Sequence, residues 1–212
     1  MSAIQVKKRP IIDASALHLP CSPLLKQLYA NRGITNELEL DTSTKLLLAA
    51  KQLKSIDLAC ELLYEALLSS KKIIIVGDFD ADGATSTALS ILALRSLGFT
   101  NVDYVIPNRF DYGYGLSPEI VDLAISKGAQ LLMTVDNGIS SIAGVAYAKE
   151  KGVQVLVTDH HLPGDEVPIA DAIVNPNQRG CDFPSKNLAG VGVAFYVMLA
   201  LRALLSEKGF FV

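Results

Sequence analysis

Three short stretches of this sequence carry residues able to hold a divalent cation: GDFDADG with Asp78, Asp80 and Asp82, TVDNG with Asp136, and TDHH with Asp159, His160 and His161. Each follows a run of β-branched and aliphatic residues. A single Asp in that place is ordinarily a helix cap or turn former, and a strand-end Asp can also bind the ribose of a nucleotide. Three acidic clusters on one sheet edge are different, because they repel one another unless protons or cations intervene. Two hard divalent ions relieve that repulsion. Carboxylates with a few imidazoles suit Mn²⁺ or Mg²⁺ better than a thiolate-preferring metal. Alternation lets Asp80 and Asp82 reach neighbouring ions if their stretch stays extended, Gly77 and Gly83 permit a tight backbone beside them, and Asp136 is the natural bridging ligand. An ion pair about 3.5–4 Å apart can activate a water and stabilise both oxygens of an in-line phosphoryl displacement.

The elements that must position these residues are alternating strands and helices from Lys72 onward. KKIIIVGD, VDYVIP, QLLMTVD, VQVLVTD and ADAIVNP read as strands. Helices are expected from about Ala84 to Leu97, from Pro118 with Ser117 as N-cap, from Ile142 to Lys151, and from Leu188 to Leu205 as a buried closing helix. Repeated β-α units predict an α/β fold, a parallel sheet of about five strands with helices on both faces. Active sites in such sheets lie at the carboxyl ends of the strands where the order reverses. Residues 1 to about 44 read as irregular, broken by Pro10, Pro20, Pro23 and Gly33, and residues 43 to 69 as one helix or two. The expected division is therefore an irregular and helical segment over 1–70 and an α/β domain over 71–212.

The three acidic motifs, in this order and spacing, resemble the first motifs of the DHH phosphoesterase superfamily. IPNRFDYGYGLS, IVNPNQ and LAGVGVAFY add a resemblance to one branch, the bacterial RecJ-type single-stranded-DNA exonucleases. The resemblance covers about residues 70 to 205. It implies a 5′→3′ exonuclease of recombination and repair that uses Mn²⁺ or Mg²⁺ on single-stranded DNA, with a single-strand-binding protein and a helicase as partners. It implies Asp80, Asp82, Asp136 and His160 as metal ligands, His161 beside the scissile phosphate, and Asp159 orienting the histidines from behind. Many members carry a His four residues before the position of Asp80. Val76 stands there, so one ion lacks a ligand or takes Asp78 or water instead. The pattern also calls for a further acidic motif and a DNA-binding domain after the closing helix. Neither precedes Val212, so the expectation is an N-terminal piece of a longer protein, inactive alone.

Arg109 can contact a phosphate, with Tyr112 and Tyr114 to stack on a base or sugar; the alternative is a surface loop turned by Gly113 and Gly115. Gly190 and Gly192 can let backbone N–H groups approach a phosphate, or serve close helix packing. Asn175 and Asn177 line the cleft or form an Asn-Pro turn.

Composition narrows the classes further. Half of the 212 residues are hydrophobic, enough for a core, and the net charge of −3 gives no basic footprint of a simple nucleic-acid-binding module. Bound cations can supply that charge instead. Cys21, Cys60 and Cys181 form no CxxC, which disfavours a disulfide framework and a thiolate zinc site. With neither a signal-like start nor an uninterrupted apolar run of about 18 residues, a cytoplasmic protein without a membrane span is expected. Two other readings compete: a phosphoesterase of the same superfamily acting on short oligonucleotides or nucleotide bisphosphates, and a catalytically dead DNA-binding scaffold. A Rossmann-type dehydrogenase is remote, since no glycine fingerprint follows the first strand.

Overall fold

The computed structural model describes residues 8, 10–15, 17–108 and 115–211. Its contacts divide the chain into two compact units, one up to Leu47 and one from Leu48 on. The boundary thus falls before residue 70, and the helix that precedes the first strand belongs with the sheet.

The first unit holds a helix, α1 (Pro23–Asn31), inside the stretch expected to be irregular. Pro23 starts this helix rather than breaking it, because it stands at the first helical position, where the missing N–H costs nothing. Ser22 caps it, accepting the Leu25 N–H at 3.3 Å.

In the second unit, a short 3₁₀ turn at Ala50–Gln52 leads to α2 (Ile56–Leu68). Of the one or two helices expected over 43–69, α2 is the one that forms, and Ser55 before it takes a left-handed conformation, φ 64°, which marks its N-terminal limit. Strands β1 (Ile73–Val76), β2 (Val102–Val105), β3 (Leu131–Val135), β4 (Gln154–Thr158) and β5 (Ala172–Val174) form one parallel sheet in the order β2-β1-β3-β4-β5. Between them run α3 (Ala81–Ser96), α4 (Pro118–Ser126) and α5 (Ile142–Glu150), and α6 (Gly190–Glu207) follows β5.

Strand alternation sends successive side chains to opposite faces. Ile73, Ile75, Leu131, Met133 and Leu156 pack with residues of α2, α3 and α6, while Ile74, Val76, Leu132, Val155 and Val157 pack with α4 and α5. Both faces are therefore buried, which is why the strands read as unbroken apolar runs. α6 is long and apolar enough to cross a membrane by length and composition, yet Val193, Val197, Leu201 and Leu205 are fully buried against the sheet. The chain passes from β1 to β2 on one side and returns to β3 on the other, so the strand order reverses between β1 and β3. Asp78 and Asp80 follow β1 and Asp136 follows β3, which places the acidic residues at that crevice.

Phe183 is fully buried beneath α6, its ring edge-on to Tyr196 at 5.1 Å. Phe183→Ala is expected to cost about 3–5 kcal/mol. The check is a urea titration showing a lower midpoint and an unchanged slope.

Candidate metal centre

The site assembles from three strand ends and one distant helix. After β1 the chain bends at Phe79 and Asp80, the latter the N-cap of α3, whose Oδ1 accepts the Gly83 N–H at 2.9 Å. α3 begins at Ala81, earlier than the sequence suggested, so Asp82 lies in its first turn and the Asp80–Asp82 stretch is not extended. Helical geometry turns Asp82 toward α6. Its two oxygens accept the N–H groups of Gly190 (2.7 Å) and Val191 (2.8 Å). The Ala189 cap position makes no side-chain bond of its own, so Asp82 caps α6 from more than a hundred residues away. The Gly190 amide, expected as a phosphate donor, is thus engaged by a carboxylate. Gly192 packs against Leu188.

Asp136 follows β3 in the left-handed region, φ 61°, a conformation Asp tolerates better than most residues and one that clusters at functional sites. Its side chain is almost fully buried. Burial first, then the charges of Asp82 and Asp80 with a smaller push from Asp159, raise its carboxyl to about 7, against the opposing charge of His161. Asn137 braces the turn by donating to the carbonyls of Val76 (3.0 Å) and Val135 (2.9 Å).

After β4, Asp159 is buried and organises both histidines. Its Oδ1 accepts the N–H groups of His160 (2.7 Å) and His161 (3.1 Å) and lies 2.7 Å from His161 Nδ1, while Oδ2 accepts the Ile139 N–H at 2.9 Å. With Nδ1–H donated to Asp159, Nε2 of His161 presents its lone pair. Burial lowers the His161 basicity, but the bond and charge of Asp159 and the charges of Asp136 and Asp78 outweigh it, so the ring stands above its ordinary value. His160 Nε2 lies 3.1 Å from Asp136 Oδ1 and 3.6 Å from Asp82 Oδ2. Asn175 and Asn177, apart from any turn they form, donate to the carbonyls of His161 (2.9 Å) and His160 (2.6 Å).

Among the described residues, two sets of ligand atoms each gather within 4.8 Å: Asp136 with His160 and His161, and Asp78 with Asp80 and Asp136. They share Asp136, whose burial and crowding by like charges call for a cation. The residues present therefore fit a two-ion centre, with Asp82 at the edge of the first set. Val76 is fully buried on the α4–α5 face, and Asp78 stands with Asp80 and Asp136 in the second set. Arg109, Tyr112 and Tyr114 lie outside the described residues. The roles of Asn137, Asn175 and Asn177 as braces carry no compositional mark; only the NPN and DNG contexts hint at them.

A parallel α/β sheet with a carboxylate–histidine cluster at its reversal point defines the class: an α/β domain whose strand-end crevice is furnished with ligands for divalent cations. The family model for the DHH family, N-terminal domain, matches residues 72–209, and the chain belongs to that family. It is 58% identical to the single-stranded-DNA-specific exonuclease RecJ of Escherichia coli over 98% of its own length and 36% of that protein's. With RecJ of Haemophilus influenzae it shares 64% identity over 97% of its length and 36% of the relative's. The chain thus spans little more than a third of these relatives. A Thermus thermophilus RecJ structure in complex with Mn²⁺ superposes with a TM-score of 0.67 at 36% identity, covering 84% of this chain and 24% of that one. A manganese-bound exonuclease RecJ gives 0.68 at 40% identity, covering 75% and 40%.

Asp136 must lose its proton to bind a cation, and its value is raised, so it is protonated below about pH 7 and charged above. Mn²⁺ affinity should therefore fall about tenfold per pH unit below 7 and level off above it. Calorimetry at pH 6 and 8 in buffers of different ionisation enthalpy measures both the affinity and the released proton. A Cβ added at Gly190 would lie 2.5 Å from Asp136 Oδ1 and 2.8 Å from its Cγ. Gly190→Ala should consequently weaken Mn²⁺ binding by an order of magnitude or more in a protein with an unchanged circular dichroism spectrum.

Proposed function

We propose that this chain is the metal-binding catalytic part of a 5′→3′ exonuclease that hydrolyses single-stranded DNA. The observation that carries the reading is the pair of ligand sets joined at Asp136, one of which includes a histidine that Asp159 holds in one orientation. RecJ relatives named as single-stranded-DNA-specific exonucleases support the substrate, and the metal-bound RecJ structures support Mn²⁺ or Mg²⁺.

When bound, a pair of divalent ions supplies an activated water and neutralises charge on the attacked phosphate. The protein's own residues set the stage. Asp136 presents one carboxylate to both sets. The amides of Gly190 and Val191 fix Asp82, so its charge stays beside His160 without swinging into the crevice. Asp159 keeps His161 at one angle through Nδ1, which leaves Nε2 as the ring nitrogen that would face an ion held with Asp136 and His160.

The test uses the protein at the length of its relatives on 5′- and 3′-labelled single strands, with and without Mn²⁺. Nucleotides should leave from the 5′ end only with metal present, and Asp136→Ala should lower the rate by about three orders of magnitude. Equal cleavage in chelator would sink the reading. Faster hydrolysis of dinucleotides than of long strands would move the substrate to short oligonucleotides.

A further inference from the structure

A cleft of about 380 Å³ lies at the end of the sheet opposite the metal centre, where β1, β3 and β4 begin. β4 is five residues long, so about 16 Å separates this end from the ligand-bearing turns. Ile125 and Val153 give the cleft apolar surface, and its polar lining is Lys71, Gln130, Lys151 and Gln154, with no carboxylate among the described lining residues. Both glutamine oxygens are engaged. That of Gln154 accepts from the Lys71 ammonium at 2.7 Å, and that of Gln130 accepts the Lys72 N–H at 2.9 Å. What the glutamines leave to a ligand are NH₂ groups, which only donate. Lys127 and Lys149, near the same end, have carboxylates of their own, Asp103 at 3.2 Å and Asp171 at 3.6 Å. Lys71 and Lys151 have none within ion-pair distance among the described residues, although Lys71 is half-buried. Lys151 follows the last residue of α5, where a cation also complements the helix dipole. That reading leaves the two glutamine donors around it without a purpose.

We propose that this cleft binds a phosphomonoester, with the Lys71 and Lys151 ammonium groups and the two glutamine amides on the phosphate and the apolar surface against the organic part. A phosphomonoester carries a charge of about −1.5 to −2 at neutral pH and three acceptor oxygens, which matches two cations and a lining made of donors. A diester has one charge and a carboxylate two oxygens, so each fills the same lining less well. The site is separate from the metal centre and stands whether or not the phosphodiesterase reading does.

The experiment titrates the chain in chelator, so that no divalent ion draws phosphate to the metal centre, and follows backbone amide resonances. The probes are thymidine 5′-monophosphate, inorganic phosphate, the dinucleoside TpT, whose one phosphate is a diester, and succinate. Thymidine monophosphate should shift the amides of Gln130, Gly152, Val153 and Gln154 and leave those of Asp136 and His160 in place. It should bind about tenfold more tightly than TpT or succinate and severalfold more tightly than inorganic phosphate. Lys151→Ala, at an exposed side chain, and Lys71→Met should each weaken it about tenfold, the worth of one charged hydrogen bond. Should Lys71→Met misfold, Lys151→Glu should abolish measurable binding with an unchanged circular dichroism spectrum. No shift of the cleft amides, shifts at the metal centre alone, or an affinity untouched by both Lys151 substitutions overturns the site. TpT or succinate binding as tightly as thymidine monophosphate overturns the phosphomonoester, and inorganic phosphate binding as tightly overturns the part given to the apolar surface.

Discussion

The centre depends on one costly arrangement, a nearly buried Asp136 carboxylate with the charges of Asp80, Asp82 and Asp159 around it. Like charges in a crevice raise one another's affinity for protons, and burial adds to the effect. Such a cluster persists only where something positive faces it. The fold provides part of this before any cation arrives. α3 begins at Asp80 and Asp82, and α6 begins at the amides that Asp82 accepts, so two helix N-termini point at the acids. Helix dipoles offset a fraction of the repulsion, and His160 beside Asp136 offers a further partner.

Around the carboxylates stands a layer of hydrogen bonds whose function is aim. Asp159 gathers the amides of His160, His161 and Ile139 into one turn, and Asn175 and Asn177 tie the carbonyls of the same two histidines from β5's side. Asn137 joins the ends of β1 and β3, the two strands between which the order reverses. The turns after β1, β3 and β4 are thereby fastened to a neighbour, largely through backbone atoms. A side chain that loses its fastening loses direction before it loses position, which is how an outer layer governs affinity.

The sheet and its acidic edge were legible in the sequence because their signals are local. IIIV, LLMTV and QVLVT are short apolar runs with an acid just past the end, and Ser117-Pro118 marks a helix start that the structure places there. What escaped is long-range or conformational. That Asp82 caps α6 depends on two helix starts meeting across more than a hundred residues, which no window contains. Ser55 and Pro23 misled in opposite ways. A serine in a periodic stretch turned left-handed and set the start of α2, while a proline expected to break a helix began one. Gly190 read as phosphate loop or packing; its defining neighbour, the Asp136 carboxylate, is visible only in three dimensions.

The two ligand sets are chemically unequal. Val76 is turned wholly into the α4–α5 core, and the corner past β1 is formed by Asp78 and Asp80 with Asp136. That set offers only carboxylate oxygens, the donors a small hard cation favours. The other set adds two imidazoles, donors better matched to a transition metal such as Mn²⁺ than to Mg²⁺. Asp136 belongs to both, so a cation held in either set would favour the charged form of Asp136 that the other set also needs. Occupancy of the two sets would therefore be coupled through a single side chain, the all-oxygen corner having no imidazole within it.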